Sequence, residues 1–313
     1  MSSVPRVDLW QVTYVAERDG FLPPLPTTAF HGGLGHALYH GVCVAKARPS
    51  CRGCPVERLC AYPRLFDPPV CELPLVRELG VTTEAPRPWA LAPEAPFVPT
   101  GERPHPVRVD QVVRFRLAVT PAAADLWQPL LRALRRAGHF GFGERRQRVA
   151  LKLLGVEPIG SEDPLPSTRV RLRLLTPLRI KHEGQIASSL TPRLLVEAIV
   201  RRAALLGSLG NDGCSWPEDW REKADSLRMR ANLRITRASR FSSTQRRLLR
   251  WPGLMGWIDL EGEALPELWP LLCFGSKAQI GKATTFGFGR YEVDPHPAVE
   301  ENGLEPGVGN GHG

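Results

Sequence analysis

The chain has 313 residues, of which 42% are hydrophobic and 23% are charged. This length and composition exclude a wholly disordered chain and leave room for two domains of about 100–200 residues each. Mean hydropathy is −0.19, and no apolar run approaches the roughly 20 residues that cross a bilayer, which excludes a transmembrane protein. The first twenty residues lack a basic stretch followed by an apolar core, so we expect no secretory signal and a cytoplasmic protein.

The charge balance is basic. The chain has 41 Lys and Arg against 32 Asp and Glu, which gives a net charge of +9 and a pI near 9.5. An excess of this sign indicates a polyanionic partner, and arginine, which supplies most of the cations, suits forked phosphate contacts and stacking on bases. Nucleic acid is therefore the expected class of partner, and no membrane contact is expected.

Elements predicted from hydrophobic periodicity follow the same order in each half of the chain. In the first half we predict strands at 8–17, 109–120 and 146–154, and helices at 31–46 and 122–137. In the second half we predict strands at 169–176, 227–237, 253–261 and 288–293, and helices at 191–209 and 265–274. Interleaving of this kind predicts an α+β fold of two tandem ferredoxin-like (RRM-like) βαββαβ domains, with a Cys-rich and Pro-rich insertion in the first.

Proline and glycine mark the expected domain boundaries. The stretch 155–167 (GVEPIGSEDPLPS) separates an N-terminal domain, 1–158, from a C-terminal RNA-binding domain, 166–294. The proline-dense stretch 63–106 has little periodicity and is expected to be an insertion. The tail, 295–313, has almost nothing to bury and is expected to be disordered.

Four of the seven cysteines lie close together at 43–60. Cys43, Cys51, Cys54 and Cys60 form the pattern C-x7-C-x2-C-x5-C. In a cytosolic protein this indicates a metal site rather than disulfides. Four thiolates suit a structural, tetrahedral zinc ion that pins the end of the first helix, although only the central C-x2-C has knuckle spacing. An iron–sulfur cluster and plain reduced thiols fit the same pattern.

Predicted strands of the second half alternate arginine with apolar residues, which puts the cations on one sheet face. Between 226 and 258 there is no acidic residue, while eight arginines, Phe241 and Trp251 lie there. A solvated face usually mixes charges of both signs, so this stretch favours contact with RNA or single-stranded nucleic acid. The predicted contacts are Arg169, Arg171, Arg228, Arg230, Arg234, Arg237, Arg240, Arg246 and Arg247.

A glycine-rich run, GKATTFGFGRY, occupies 281–291. Glycine permits positive φ and close backbone approach, so the N–H groups near Gly281, Gly287 and Gly289, flanked by Lys282 and Arg290, could cradle phosphate oxygens. The order GxxxxGK[ST] is missing, so a nucleotide-hydrolysing P-loop is not supported. The same run also fits a tight turn before a last strand, or a loop that seats the two halves.

Together with the segments 175–181 and 241–247, the glycine-rich run gives the chain a resemblance to the CRISPR-associated endoribonucleases that process precursor crRNA, members of the RAMP superfamily. The resemblance covers about 31–291. It implies metal-independent cleavage of CRISPR repeat RNA by 2′-OH attack, which gives a 2′,3′-cyclic phosphate and a 5′-OH. It also implies that the protein stays on the crRNA with subunits of an effector complex, and the segment 175–181 adds the RNA contacts Arg179 and Lys181.

Cleavage of this kind needs a base for the 2′-OH proton, an acid for the leaving oxygen and cations for the developing charge. Histidine suits both proton transfers, and three of the eight histidines lie within 31–40. His36 and His40 are four residues apart and share one helix face. The resemblance implies His40 as base or acid, His36 as its partner, Tyr39 as an orienting hydroxyl and Lys46 as charge stabiliser, with His31 as the rival and no cofactor for catalysis.

Two other functions fit the same features. A non-catalytic RAMP subunit that holds a crRNA end would keep the basic strands and the glycine-rich run without needing the histidines. A zinc-stapled RNA- or DNA-binding protein outside CRISPR is the third alternative. No HExxH, GxSxG or paired-carboxylate pattern stands out, which disfavours a metalloprotease, a serine hydrolase or a glycosidase.

Overall fold

The computed structural model describes residues 3–46, 48, 50–68, 86–97, 104–143, 148–160, 162–209, 214–242 and 247–295, with backbone only at 240–242, 247 and 248. Within these ranges the chain forms two four-stranded antiparallel sheets, one in each half of the sequence. None of the described helices combines the length and the apolar character that crossing a bilayer requires.

The first half has the βαββαβ order of a ferredoxin-like domain. Its elements are β1 (Asp8–Ala16), β2 (Gly20–Leu22), α1 (Pro26–Val42), α2 (Ala61–Phe66), β3 (Trp89–Pro93), β4 (His105–Val107), β5 (Val112–Val119), a 3₁₀ helix (Pro121–Leu126), α3 (Trp127–Phe140) and β6 (Leu151–Pro158). The main sheet has the order β3-β5-β1-β6, and β2 pairs with β4 separately. Every neighbouring pair is antiparallel.

The second half repeats this topology. Its elements are β7 (Arg169–Leu178), β8 (Lys181–His182), β9 (Gln185–Ile186), α4 (Pro192–Gly207), α5 (Trp220–Ser226), β10 (Arg228–Ser242), β11 (Arg247–Glu261), α6 (Leu265–Ala278), a 3₁₀ turn (Thr284–Phe286) and β12 (Tyr291–Asp294). The sheet order β10-β11-β7-β12 matches that of the first sheet. The predicted α+β class with two ferredoxin-like units is therefore confirmed.

The main difference from the predicted elements lies in the proline-dense stretch 63–106. Instead of being only an insertion, it contributes β3, the edge strand of the first sheet, and β4. Trp89 of β3 is buried, and its indole N–H donates to the Leu65 carbonyl at 2.7 Å. Periodicity did not reveal β3 because all but its last residue are buried. The domain limits remain a prediction, and the tail lies outside the described residues from 296 onward.

Helix α1 begins five residues earlier than predicted. Pro26 occupies its first turn, where the missing N–H costs no hydrogen bond. On its inner face Phe30 packs against Phe115 of β5 at 4.5 Å and Phe142 at 4.1 Å, between ring centroids. Tyr14 of β1 completes this aromatic core, and its hydroxyl donates to the Leu134 carbonyl at 2.8 Å. The opposite face of α1 is thereby left toward solvent.

The two halves share a seam of buried apolar residues. Its members come from both sides, and they are Leu25, Phe97, Ala238, Met255 and Phe288. Backbone contacts join the same region: the Phe97 N–H donates to the Leu175 carbonyl at 2.7 Å. The Thr27 hydroxyl, in the first turn of α1, donates to the Phe286 carbonyl at 2.8 Å. Helix α1 is thus fixed at its start by the second half.

The C-terminal end of α6 receives one buried arginine from each half. Arg116 of β5 donates to the carbonyls of Ser276 and Lys277 at 3.0 and 3.1 Å, and Arg202 of α4 donates to Ala278 at 3.3 Å. Burial lowers the pKa of both guanidinium groups to about 10, so they remain charged at neutral pH. A cation beside the last carbonyls of a helix is favourable because that end carries partial negative charge.

Candidate active site

The exposed face of α1 presents a pair of histidines. His36 and His40 lie one helical turn apart, as predicted, and both are exposed. Their ring centroids are 4.3 Å apart with an interplanar angle of 62°. Two imidazoles in contact on an open surface can exchange protons with a bound molecule, which is the geometry that acid–base chemistry requires.

Aromatic and cationic groups of α3 and the approach to β6 surround His36. The exposed ring of Phe140 lies 5.3 Å from the His36 ring, edge to face. Arg148 donates to the Phe140 carbonyl at 3.3 Å. Burial, the neighbouring His40 and the charge of Arg148 together hold the pKa of His36 below its ordinary value of 6.5. His36 therefore stays neutral at neutral pH and can accept a proton.

Tyr39 and Lys46 lie on the other side of His40. The Tyr39 ring stands perpendicular to the His40 ring at 5.5 Å. Its hydroxyl lies 3.4 Å from the Lys46 carbonyl oxygen, and a hydrogen bond to Cys43 raises the pKa of the phenol. The Lys46 side chain is exposed. Four of the five predicted catalytic residues are thus on this one side of α1 and the loop after it.

His31 lies at a different place. It is half-buried at the seam, stacked on Phe286 at 3.7 Å and flanked by Trp89 at 5.6 Å and Phe66 at 5.3 Å. Five residues separate His31 from His36, so the two side chains leave the helix about 140° apart. The surroundings of His31 favour a role in joining the halves over the rival catalytic role.

The glycine-rich run is a folded loop whose amides are used within the protein. The N–H of Gly287 donates to Thr284 at 3.0 Å and that of Gly289 to Pro177 at 3.0 Å, and both glycines are buried. The Lys282 N–H donates to Arg179 at 2.7 Å. The phosphate cradle predicted at Gly287 and Gly289 is therefore corrected, because their N–H donors are occupied, whereas the predicted contact at Gly281 stays a prediction. The alternative prediction, a loop that seats the halves, agrees with the contacts.

Two predicted RNA contacts turn inward. Arg290 donates to the carbonyls of Pro93 and Glu94 at 2.5 and 3.0 Å, which connects the second half to β3. Arg179 donates to the Pro252 carbonyl and lies over the Trp251 ring at 5.4 Å. Burial lowers the pKa of both. These two arginines stabilise the seam and the loop, which corrects their assignment to RNA; Lys181 and Lys282 are exposed.

The β7 arginines are neutralised by acids of the neighbouring strands. Arg171 forms a two-point ion pair with Asp259 at 2.7 and 2.9 Å, and Arg169 pairs with Glu261 at 3.0 Å. Arg173 pairs with Glu292. The face is therefore not purely cationic: the acid-free stretch ends just before Asp259 and Glu261, and the last strand supplies Glu292. The period-two separation is confirmed in β7, since Val170, Leu172 and Leu174 are buried. It does not hold along β10, where Ile235 is 58% exposed and Thr236, on the arginine side of the pattern, is buried.

Strand β10 carries the arginines that keep their charge unpaired. In register, Arg228 and Arg230 face the same two acids of β11 that β7 already binds. Within the described part of the chain, no ion pair involves Arg228, Arg230, Arg234 or Arg237, and all four are exposed. This edge strand therefore bears an excess of positive charge. Arg246 lies outside the described residues, as do the side chains of Arg240 and Arg247.

The four clustered cysteines line a common pocket between α1 and α2, together with Tyr39 and Tyr62. All four are free thiols and half-buried. Among the residues that the structure describes, no group of three or more His, Cys, Asp or Glu side chains is arranged to hold a metal ion. The sequence brings the thiols together, and the identity of any bound metal stays a prediction.

Arg148, Arg136 and Phe140 are site residues that the sequence predictions missed. The Arg136 guanidinium lies 3.4 Å from where a Cβ on Gly41 would be, at the end of α1. Two sequence features could have pointed to these residues. The helix predicted at 122–137 ends in a basic segment, and a second glycine-rich run, GHFGFGERR, follows it. What the sequence could not give was the packing of α3 beside α1, which brings Phe140 to His36 and Arg136 to the end of α1.

Comparison with known proteins agrees with this architecture. A solved structure named "Cas6 (TTHB231) product complex" is 18% identical, with 92% of this chain and 100% of that chain covered and a TM-score of 0.55. "Thermus thermophilus Cas6 (TTHB231)" is 16% identical, with 93% and 99% covered and a TM-score of 0.51. "Cas6 (TTHA0078) product complex" is 19% identical, with 92% and 100% covered and a TM-score of 0.51. At these identities the likeness concerns the fold.

No curated protein matches the chain. Two family models do. Residues 6–172 match AF_1859_N, described as an N-terminal domain, and residues 172–291 match the model described as CRISPR-associated endoribonuclease Cas6. The first match spans more than half of the chain, and the two continue one another through both ferredoxin-like halves. Residues 172–291 therefore form a domain of the Cas6 family of CRISPR-associated endoribonucleases.

Proposed function

We propose that the protein cuts CRISPR repeat RNA without a metal ion, at the exposed His36–His40 pair. The contact between the two imidazoles carries the proposal, because it offers two proton-transfer groups on one open surface. In the reaction the 2′-oxygen attacks the adjacent phosphorus and the bond from phosphorus to the 5′-oxygen breaks. The products are a 2′,3′-cyclic phosphate and a 5′-OH.

The environments of the two imidazoles suggest their roles. His36, whose pKa is lowered, is neutral and takes the proton from the 2′-OH. His40 is exposed and packed edge-on against Tyr39, and it gives a proton to the departing 5′-oxygen. Because a charge on His40 disfavours a second charge on the ring 4.3 Å away, His36 is the member of the pair that is kept neutral. One base and one acid is the state that this cleavage needs.

The remaining groups hold charge and RNA in place. Lys46, Arg136 and Arg148 supply positive charge for the phosphate in the transition state. Phe140, an exposed ring beside His36, offers a surface on which an unstacked base can lie. The unpaired arginines of β10 bind the backbone at a distance from the cut. Retention of the crRNA product and assembly with effector subunits remain predictions from the sequence.

The test is cleavage of labelled repeat RNA in EDTA, alongside the same RNA with hydrogen in place of the 2′-OH at the cut. We expect one cut in the native RNA and none in the control. His36→Ala and His40→Ala should each slow cleavage by about 10²–10⁴-fold, the usual contribution of a general acid or base, while RNA affinity changes little. His182→Ala, at an exposed histidine of the second half, is the matched control.

Three results would contradict the proposal. Cleavage of the 2′-deoxy RNA would exclude attack by the 2′-oxygen. Loss of affinity in parallel with loss of cleavage would make the histidines binding residues instead of catalytic ones. Tight binding with no cut by the unaltered protein would favour the non-catalytic subunit that holds a crRNA end.

A further inference from the structure

The four clustered cysteines occupy the junction between α1 and α2. Cys43 follows the last residue of α1, and its N–H donates to the Tyr39 carbonyl at 2.9 Å. Cys60 immediately precedes α2. Cys51 and Cys54 lie in the loop between them. The thiols therefore come from two helix ends and one turn, so a shared ligand would join three separate pieces of backbone.

The turn that carries the central pair is itself well ordered by hydrogen bonds. The Cys54 N–H donates to the Cys51 carbonyl at 3.0 Å, and Gly53 takes a φ of +71° that suits glycine. The Gly53 N–H donates to Glu57 at 2.9 Å, and Arg48 donates to the Gly53 carbonyl at 3.2 Å. A tight turn between two cysteines spaced C-x2-C keeps both thiols within reach of one ion.

All four thiols line one pocket, and Tyr39, Tyr62 and Pro63 are among its other lining residues. Four thiolates in this space would repel one another strongly. A bound cation removes that cost, which is why thiol clusters ionise when they bind metal.

Apart from these hydrogen bonds, the described part of the loop gains little stability from apolar packing. Among the described residues from 43 to 60, the backbone forms turns and bends without a helix or strand. Val44 and Leu59 are each 83% exposed, and Val56 is also exposed, so the apolar side chains of the loop do not form a core. A loop of this length without a core is stabilised in small protein regions by a disulfide or a metal ion. The cysteines here are free thiols.

We propose that the protein binds one Zn²⁺ ion through Cys43, Cys51, Cys54 and Cys60, and that the ion ties the end of α1 to the start of α2. The four thiols line the pocket but are not spaced for coordination in this structure, so binding requires them to move until each sulfur is about 2.3 Å from the metal. Four thiolates complete a closed tetrahedral shell, which makes the role structural. No RNA contact is needed for binding.

The test measures metal directly. Protein purified without chelators under reducing conditions should hold about one zinc per chain by elemental analysis, as a closed structural site does. The double variant Cys51→Ser/Cys54→Ser should lose it, whereas Cys214→Ser, which removes a half-buried thiol outside the cluster, should keep it. His40→Ala should also keep it, which separates this proposal from the cleavage mechanism.

A second measurement covers the case in which the double variant does not fold. Unaltered protein stripped of metal is titrated with Co²⁺, and we expect the visible absorption bands of a tetrahedral thiolate site to saturate at about one equivalent. Zinc should then displace the cobalt. Failure of the stripped protein to bind either ion, purification with iron and sulfide in place of zinc, or full metal content in the double variant would each overturn the proposal.

Discussion

Replacing Gly287 with alanine should weaken the seam between the halves. Gly287 has a φ of +98°, and a Cβ there would lie 2.9 Å from the Thr27 Cβ, with the Thr27 hydroxyl nearer still. The left-handed backbone costs an alanine about 1–2 kcal/mol. Pushing α1 away from the loop adds about 1–3 kcal/mol, the range for an overpacked core. We therefore expect the free energy of unfolding to fall by about 2–5 kcal/mol.

Gly184 is the matched control. It has a φ of +83°, but a Cβ there would meet nothing within 4 Å, so Gly184→Ala should cost only the backbone term of about 1–2 kcal/mol. Urea unfolding followed by tryptophan fluorescence compares the two. In a Thr27→Ala background, Gly287→Ala should cost less, because the hydroxyl that it meets is gone. Equal costs for both glycines, or no relief from Thr27→Ala, would refute the inferred contact.

Two further predictions concern the histidine pair and β10. Arg148→Gln removes a positive charge near His36, so the pKa of His36 should rise and the acid limb of the cleavage rate should move to higher pH; an unchanged limb would remove Arg148 from the site. The double variant Arg230→Gln/Arg234→Gln should flatten the plot of log affinity for single-stranded repeat RNA against log salt by about 1.4, as expected for two lost phosphate contacts. Arg→Gln substitution of two ion-paired arginines of β7 should leave the salt slope nearly unaltered. Equal flattening in both double variants would contradict the conclusion that the β10 arginines are free to bind phosphate and the β7 arginines are not.

The sequence predicted the fold where periodicity was strong. Strands β1, β5, β6, β7, β10, β11 and β12 and the four main helices were found, with errors at their ends. Helix α1 was predicted to begin at 31, whereas it begins at Pro26, because proline is favoured in a first helical turn. The hairpin of β10 and β11 is longer than predicted, since it extends past the end of β7. Pairing between strands supplied order that local pattern could not show.

The sequence predicted only those relations within the candidate site that lie on a single helix. The i, i+4 spacing placed His36 and His40 together, because a helix fixes that relation locally. Whether an arginine is free or paired depends on the next strand, which is why Arg171 and Arg230 looked alike in the sequence and differ in the structure. The phosphate cradle was predicted wrongly for the same reason: amides of the glycine-rich loop donate to carbonyls far away in the sequence, such as that of Pro177.

The seat of α1 also bears on the order in which the two halves can fold. Thr27 and its hydrogen-bond partner Phe286 are 259 residues apart in the chain. N-terminal regions fold first as a chain is made, so the first sheet and its helices can assemble before residue 286 has been synthesised. Until then, α1 is held by the core of its own half alone. Its start is fixed against the second half only after both ferredoxin-like units are present.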